Sequence, residues 1–355
     1  MNTSTFENYE SEVRSYCRHF PKVFTNAKGA VITDEDGVDY IDFFCGAGAV
    51  NYGHNNEYIK QKMVEYLSTD GIIHALDMYT VPKREFIETL EHKLIEPRGF
   101  TYKIQFCGPT GTNAVEAAIK LARKNKGRRN VFAFMGCFHG MTLGALSLTS
   151  EMYARGGAGA SLNDVTHIPA PYMFEGLDVI QYMQTLIDDD HSGVEKPAAV
   201  IMETLQAEGG IRPFSDEFLR QVRDFCDKND ILMIVDDIQV GCCRCGSFFS
   251  FERAGIEPDM VVMSKSIGGL GMPLVASVIF FVLYYVVGMI SEKSVRESAM
   301  GPIGMWVSTF VFIPIGAILT WQATTDSKLF DLATWKRWLH FKSRRTDPPT
   351  PPEQS

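Results

Sequence analysis

The chain has 355 residues, 45% of them apolar and 22% charged, and a formal net charge of −9 at pH 7. At about one domain per 150 residues, that length predicts two or three structural units with a sizeable buried core. The near-average composition excludes wholesale disorder and a polytopic membrane protein. The charge is uneven. Residues from 271 onward carry eight Lys/Arg and six Asp/Glu; subtracting these from the totals of 34 and 43 leaves 26 and 37 for the first 270. An acidic body without a cationic face argues against nucleic acid as a partner, because counterion release needs clustered positive charge.

The eight cysteines lack the dense spacing of a secreted disulfide scaffold, and Met1–Glu7 has no basic stretch leading into an apolar one. Both features predict a reducing, cytoplasmic setting for the body. The run Cys242-Cys243-Arg244-Cys245 has no second pair and no nearby His to complete four ligands, so it reads as loop and packing cysteines, and no metal is expected.

In chain order, Ala30–Ile32 and Asp39–Phe43 read as short strands around the turn Thr33-Asp34-Glu35-Asp36-Gly37. Helical periodicity follows over Tyr58–Leu67 and Lys83–Leu94. Strands are then predicted at Lys103–Cys107, Asn130–Phe134, Ala198–Glu203, Ile231–Asp236 and Asp259–Ser264, with helices such as Ala114–Lys124 and Asp216–Lys228 between them. Short apolar strands alternating with helices predict an α/β fold with a mostly parallel sheet covered on both faces.

After Lys265 the character changes. Gly271–Ile290 is a run of 20 residues without charge, amide or His, and Ala299–Trp321 is another of 23. Each is long enough to cross about 30 Å of hydrocarbon, and soluble core helices are rarely apolar all round for so long, so two transmembrane helices are expected. Buried core helices are the competing reading. The connector 291–298 is neutral, whereas Lys328–Arg345 holds six basic residues and one acidic one. The positive-inside rule then puts the tail, and with it the body, on the cytoplasmic side of the inner membrane. The end, Asp347–Pro352, reads as an extended terminus.

Three features carry chemistry. Tyr102–Cys107 leads through Gly108-Pro109-Thr110-Gly111-Thr112-Asn113 into a helix, which places free N–H groups and a positive dipole end together, a setting for phosphate. A Gly-rich turn before a helix also serves simply as a good connection. Ile231–Val235 delivers Asp236 and Asp237 at a strand's carboxyl end, where ligands of open α/β sheets sit. Met260–Ser264 ends in Lys265, which in a partly desolvated pocket can lose its proton and form an imine. A phosphate cup, a carboxylate for a pyridine nitrogen and an imine-forming lysine are what pyridoxal 5'-phosphate requires.

Residues 5–265 resemble class III (fold type I) aminotransferases, and within them the diaminobutyrate–2-oxoglutarate aminotransferases of ectoine biosynthesis. The resemblance is carried by Gly46-Ala47-Gly48, Asn51-Tyr52-Gly53-His54-Asn55, Gly108–Ala118, Phe138-His139-Gly140, Ala207-Glu208-Gly209-Gly210, Val235–Gln239 and Ser264-Lys265-Ser266. It implies that Gly111 and Thr112 bind the cofactor phosphate and that Phe138 stacks on the ring with His139 beside it. It also implies that Asp236 pairs with the pyridinium nitrogen, Gln239 approaches the phenolic oxygen, and Lys265 is both the imine lysine and the proton shuttle. Glu203 and Glu208 match acidic positions near the substrate. Amino-acid and 2-oxo-acid substrates and a homo-oligomer are the implied partners.

From about Gly268 the chain instead resembles the last two membrane helices of lipopolysaccharide-export permeases of the YjgP/YjgQ type, through Gly269–Leu274, Phe281–Tyr285, Ser291-Glu292-Lys293, Gly304-Met305-Trp306 and Ala323–Ser327. The expected organisation is an N-terminal aminotransferase segment (1–57) and a fold type I large domain (58–267) that stops after the lysine strand. Two transmembrane helices (271–290, 299–321) follow within 268–326, then a basic, Pro-rich tail (327–355). Recombination between two genes that look alike at the joint, or an assembly chimera, accounts for such a chain. A transaminase of reduced turnover is expected. The alternative is a non-catalytic membrane protein carrying a permease fragment and lipid as its partner.

Overall fold

The structure is a computed structural model that describes residues 3–12, 20–73 and 78–270. The two expected membrane helices, the neutral connector and the basic tail lie outside the described residues. Among the described residues, no helix is long and apolar enough to cross a membrane.

Three strands, β1 (Phe24–Lys28), β2 (Val31–Asp34) and β3 (Asp39–Ile41), form an antiparallel meander in that order. The buried Asp34 builds its second turn: the carboxylate accepts the N–H groups of Asp36 (3.1 Å) and Val38 (2.9 Å) and the Tyr40 hydroxyl (2.9 Å). Short acidic side chains bond their own backbone in this way and hold turns.

The main body is a five-stranded sheet made of β4 (Val131–Phe134), β5 (Val165–Ile168), β6 (Ala199–Met202), β9 (Leu232–Asp236) and β10 (Met260–Val262). A separate two-stranded hairpin, β7 (Leu205–Gln206) with β8 (Arg212–Pro213), lies between the third and fourth of these in the sequence. The spatial order is β10-β9-β6-β4-β5, with every pair parallel.

Side chains of the sheet divide by period two onto two covered faces, as an α/β fold requires. Phe132, Phe134, Val200, Met202, Met233 and Val235 meet Phe218, Leu219, Val222 and Phe225 of the helix Asp216–Lys228. On the other face Val131, Ala133, Ala199, Ile201 and Ile234 meet Val115, Ala118, Ile119 and Ala122 of the helix Gly111–Lys126.

Two expectations about strands need correction. Lys103–Cys107 forms no ladder with a described strand. Its residues lie between Tyr102, whose hydroxyl donates to the Pro258 carbonyl at 2.8 Å ahead of β10, and Gly111, which sits beside Ser264 beyond it. With Lys103 and Gln105 alternating among its apolar residues, it does not match the continuous apolar pattern of the paired strands. Conversely β5 escaped the sequence reading, because Val-Thr-His-Ile is too polar for an apolar run and its position is an edge of the sheet.

The helix expected at Ala114 begins at Gly111, because Asn113 Oδ1 accepts the Thr110 N–H (3.3 Å) and hydroxyl (2.7 Å) and so caps the first turn. The helix expected over Lys83–Leu94 spans Val81–Leu90 and then loosens into a π-turn at Glu91–Ile95 ahead of Pro97.

Phe134, fully buried, has ring centroids 5.4 Å from Phe214 and 5.6 Å from Phe218. Phe134→Ala should cost about 3–5 kcal/mol of stability. Denaturant unfolding of the variant against the parent reads this directly.

Candidate active site

The chain turns from β4 toward β5 on one side and toward β6 on the other, so the sheet has a switch point where a crevice opens beyond the strands' carboxyl ends. Each expected site residue on the sheet stands at such an end. Phe138 and His139 follow β4, Glu203 follows β6, Asp236 closes β9, and Lys265 lies just past β10. The register of β10 on β9 pairs Val262 with Asp236, and Lys265 follows three residues beyond that pair.

Asp236 is buried and held on both oxygens. Oδ2 bonds His139 Nδ1 at 2.7 Å, and Oδ1 accepts the Ile238 N–H at 3.2 Å. Burial opposes a charge on His139, but Cys137 and the hydrogen-bonded Asp236 outweigh it, and the imidazole pKa lies well above its ordinary value. The pair is therefore an ion pair in a nearly solvent-free setting, where electrostatic interactions are strong. His139 Nε2 is buried without a partner among the described residues.

Glu203, expected near the substrate, is 4% exposed, and its carboxylate accepts the backbone N–H of Phe138 at 2.9 Å and of Ala207 at 3.3 Å. It thus staples the segment bearing Phe138 to the hairpin bearing Glu208. Burial pushes its pKa up to about 7, with nearby Asp236 adding to the shift. Asp237 is likewise raised by burial to about 6, and its Oδ2 accepts the Ser250 N–H at 3.1 Å.

Lys265 adopts a left-handed backbone with φ of 50°, a strained conformation for a residue with a side chain. Its neighbour anchors it: Ser266 Oγ donates to the Gly48 carbonyl at 2.8 Å and accepts the Asn51 N–H at 3.4 Å. Burial lowers the lysine's pKa, while Glu208, Asp236 and Glu203 pull it upward. Its hold on the proton is therefore weaker than that of a surface lysine.

A cavity of about 530 Å³ is lined by Phe43, Gly48, Glu208, Gln239, Arg244 and others, without Lys265 among them. Its wall at Phe43–Gly48 is pinned by Asp42, which accepts the N–H groups of Phe44 (2.8 Å) and Cys45 (3.0 Å) and bonds His54 Nε2 at 2.6 Å.

At the helix Gly111–Lys126, the first N–H groups have no intrahelical acceptor and the dipole presents its positive end. A Cβ on Gly111 would lie 2.8 Å from Ile238 Cδ1 and 3.4 Å from Ser264 Cβ, so only glycine lets this terminus come so close to the residues after Asp236 and before Lys265. Gly111, Thr112, Asp236 and Lys265 are thereby gathered at one end of the sheet, with Phe138 and His139 on the loop behind. Thr142, bonded to Thr112, and Glu116, bonded in turn to Thr142, carry no signal that singled them out in the sequence. Thr142 lies four residues beyond Phe138 with no signal of its own.

The class III aminotransferase family matches residues 14–282, and the chain belongs to that family. It is 55% identical over 273 residues to the diaminobutyrate–2-oxoglutarate transaminase of Nocardia farcinica, covering 77% of this chain and 63% of that protein. To the Streptomyces coelicolor transaminase of the same name it is 53% identical over 272 residues, 76% of this chain and 64% of the relative. The chain thus spans less than two thirds of the length of the curated relatives it matches. Among solved structures, an S-selective transaminase from Arthrobacter aligns with a TM-score of 0.68 at 23% identity, over 76% of this chain and 62% of that one. The ornithine aminotransferase of Toxoplasma gondii aligns at 0.65 and 22%, over 76% and 60%. These likenesses establish the α/β fold type I domain.

Glu203 has a consequence for pH. Its folded pKa of about 7 lies above the ordinary 4.5, so between those values the folded protein holds a proton that the unfolded chain has released. This carboxyl's contribution to stability therefore falls as pH rises through that window. Glu203→Gln cannot titrate. Unfolding free energy plotted against pH should be flatter over that range in the variant than in the parent, and an unchanged slope would contradict the assignment.

Proposed function

We propose that the chain binds pyridoxal 5'-phosphate and acts as a diaminobutyrate–2-oxoglutarate transaminase, moving an amino group between glutamate and aspartate 4-semialdehyde to give 2,4-diaminobutyrate. The convergence of Lys265, Asp236 and the helix terminus at Gly111 carries this reading; the substrate pair rests on the relatives at 50–55% identity.

The residues fit the cofactor. A positive helix end suits its phosphate, a fixed carboxylate suits its ring nitrogen, and a lysine with a weakened hold on its proton suits its carbonyl. Pyridoxal phosphate, when bound, supplies the electron sink that makes a proton on an amino acid's α-carbon removable.

The protein's share is positioning and proton transfer. Gly111 and Thr112 would hold the phosphate and Phe138 would cover the ring. Asp236, held by His139 at 2.7 Å, would keep a proton on the ring nitrogen. Gln239, on the cavity wall, would face the phenolic oxygen. Lys265 Nζ would carry the cofactor and then move the proton, since an amine with a lowered pKa works as a base nearer neutral pH. Glu208 lines the cavity where the substrate's remaining chain would lie.

The test uses the full chain purified with detergent. It should take up the cofactor with a visible absorption band, and borohydride should fix the cofactor on Lys265. Lys265→Ala should abolish both. Fixation on another lysine, or no uptake, overturns the reading.

A second reading concerns residues 271–290 and 299–321. Their two uncharged runs and the basic tail support a membrane hairpin with both ends cytoplasmic, in keeping with the resemblance to export permeases. A cysteine probe at Ser294 should react with an impermeant reagent from outside the cell, and one at Ser343 should not. Release of the chain into the soluble fraction by carbonate would sink the idea.

A further inference from the structure

The first turn of the helix Gly111–Lys126 is tied to the loop after His139 by a short hydrogen-bond chain outside the cofactor contacts assigned above. Thr142 Oγ1 donates to Glu116 Oε1 at 2.6 Å, and the same oxygen accepts the Ala145 N–H at 3.0 Å. Thr112 Oγ1 lies 2.6 Å from Thr142 Oγ1, and the Thr142 N–H points at Thr112 Oγ1 at 3.4 Å.

Counting hydrogens fixes the direction. A threonine hydroxyl has one hydrogen, and a carboxylate only accepts. Thr142 gives its hydrogen to Glu116, so the bond between the two hydroxyls uses the hydrogen of Thr112. The chain therefore runs Thr112 to Thr142 to Glu116. The loop is shaped to admit both ends of it: a Cβ on Gly140 would lie 2.5 Å from Thr112 Oγ1, and a Cβ on Gly144 would overlap the Glu116 carboxylate.

We propose that Glu116 is a positioning residue for the phosphate end of the site: through Thr142 it fixes the Thr112 side chain and the Gly140–Ala145 loop against the helix terminus. The inference rests on the pyridoxal phosphate reading. Glu116 spends its charge on two donors of the loop, one turn away from the terminus. Thr112, the one member whose hydrogen goes to a neutral oxygen and not to an anion, can give that hydrogen to an arriving phosphate while its Oγ1 stays held by the Thr142 N–H. Without the carboxylate, Thr142 and Thr112 recover their rotamers, and phosphate binding must order them.

Affinities of the apoprotein for pyridoxal 5'-phosphate and for pyridoxal, which lacks the phosphate, test this by fluorescence titration. Removing a charge-assisted hydrogen bond by Glu116→Ala should weaken pyridoxal phosphate by about tenfold and leave pyridoxal within about twofold. Thr142→Val should do the same, and the double variant should be no weaker than either single one. Glu116→Gln, which keeps an acceptor oxygen but no charge, should bind pyridoxal phosphate at least as well as the parent.

Equal weakening for both ligands would mean a merely structural role and overturn the proposal, as would additive effects of the two substitutions. The unchanged pyridoxal affinity also reports that each variant is folded. A parent chain that binds neither ligand overturns the cofactor reading and this inference together, whereas a parent that binds both, with an unchanged ratio in the variants, overturns this inference alone.

Discussion

The parallel pairing of β10 on β9 is the constraint on which the site depends. Val262 stands opposite Asp236, so the strand that ends in Lys265 cannot slip by one residue without turning its side chains to the other face and moving the amine away from the carboxylate. Parallel strands also end on the same side, which is why Phe138, Glu203, Asp236 and Lys265, spread over more than a hundred residues, share one edge. The ladder holds against slippage because both faces are filled. Met233 and Val235 are locked into one hydrophobic layer and Ile234 into the other. The strained φ at Lys265 is sustained by the Ser266 contacts to Gly48 and Asn51.

Against that apolar frame sits a thin, buried polar layer. Asp236 and His139 are an ion pair whose Nε2 has no partner among the described residues, and Glu203 is held between two backbone donors. Burial acts on all of them, but the outcome differs with the partners. The imidazole given a carboxylate is raised well above its ordinary value, the carboxyl given only amide hydrogens is raised to about 7, and the lysine beside them is lowered. One strand edge therefore holds acids and a base with distinct proton affinities, a condition for moving protons between neighbouring groups near neutral pH.

Residues that touch no ligand set the geometry of those that do. Glu203 fixes the backbone at Phe138 and at Ala207. Asp42 and His54 fix the cavity wall from Phe43 to Gly48. Glu116 and Thr142 fix Thr112. In each case a carboxylate does the accepting, and most of its donors are backbone groups or a short hydroxyl, an arrangement that holds a loop at low entropy cost.

Apolar runs and turn residues were enough to read the α/β class, four of the five parallel strands, helices on both faces, and the placing of Asp236, Lys265 and Gly111 at strand ends and a helix start. Tertiary structure alone decided the rest. It made Val165–Ile168 a strand, because an edge position tolerates its polarity, and it gave Lys103–Cys107 no ladder partner among the described residues. It gave Glu203 the Phe138 and Ala207 N–H groups to hold, because a carboxylate's role follows from which donors the fold brings to it. The sequence records that a group can ionise or donate; only the packed chain supplies the partner and the burial that fix what it does.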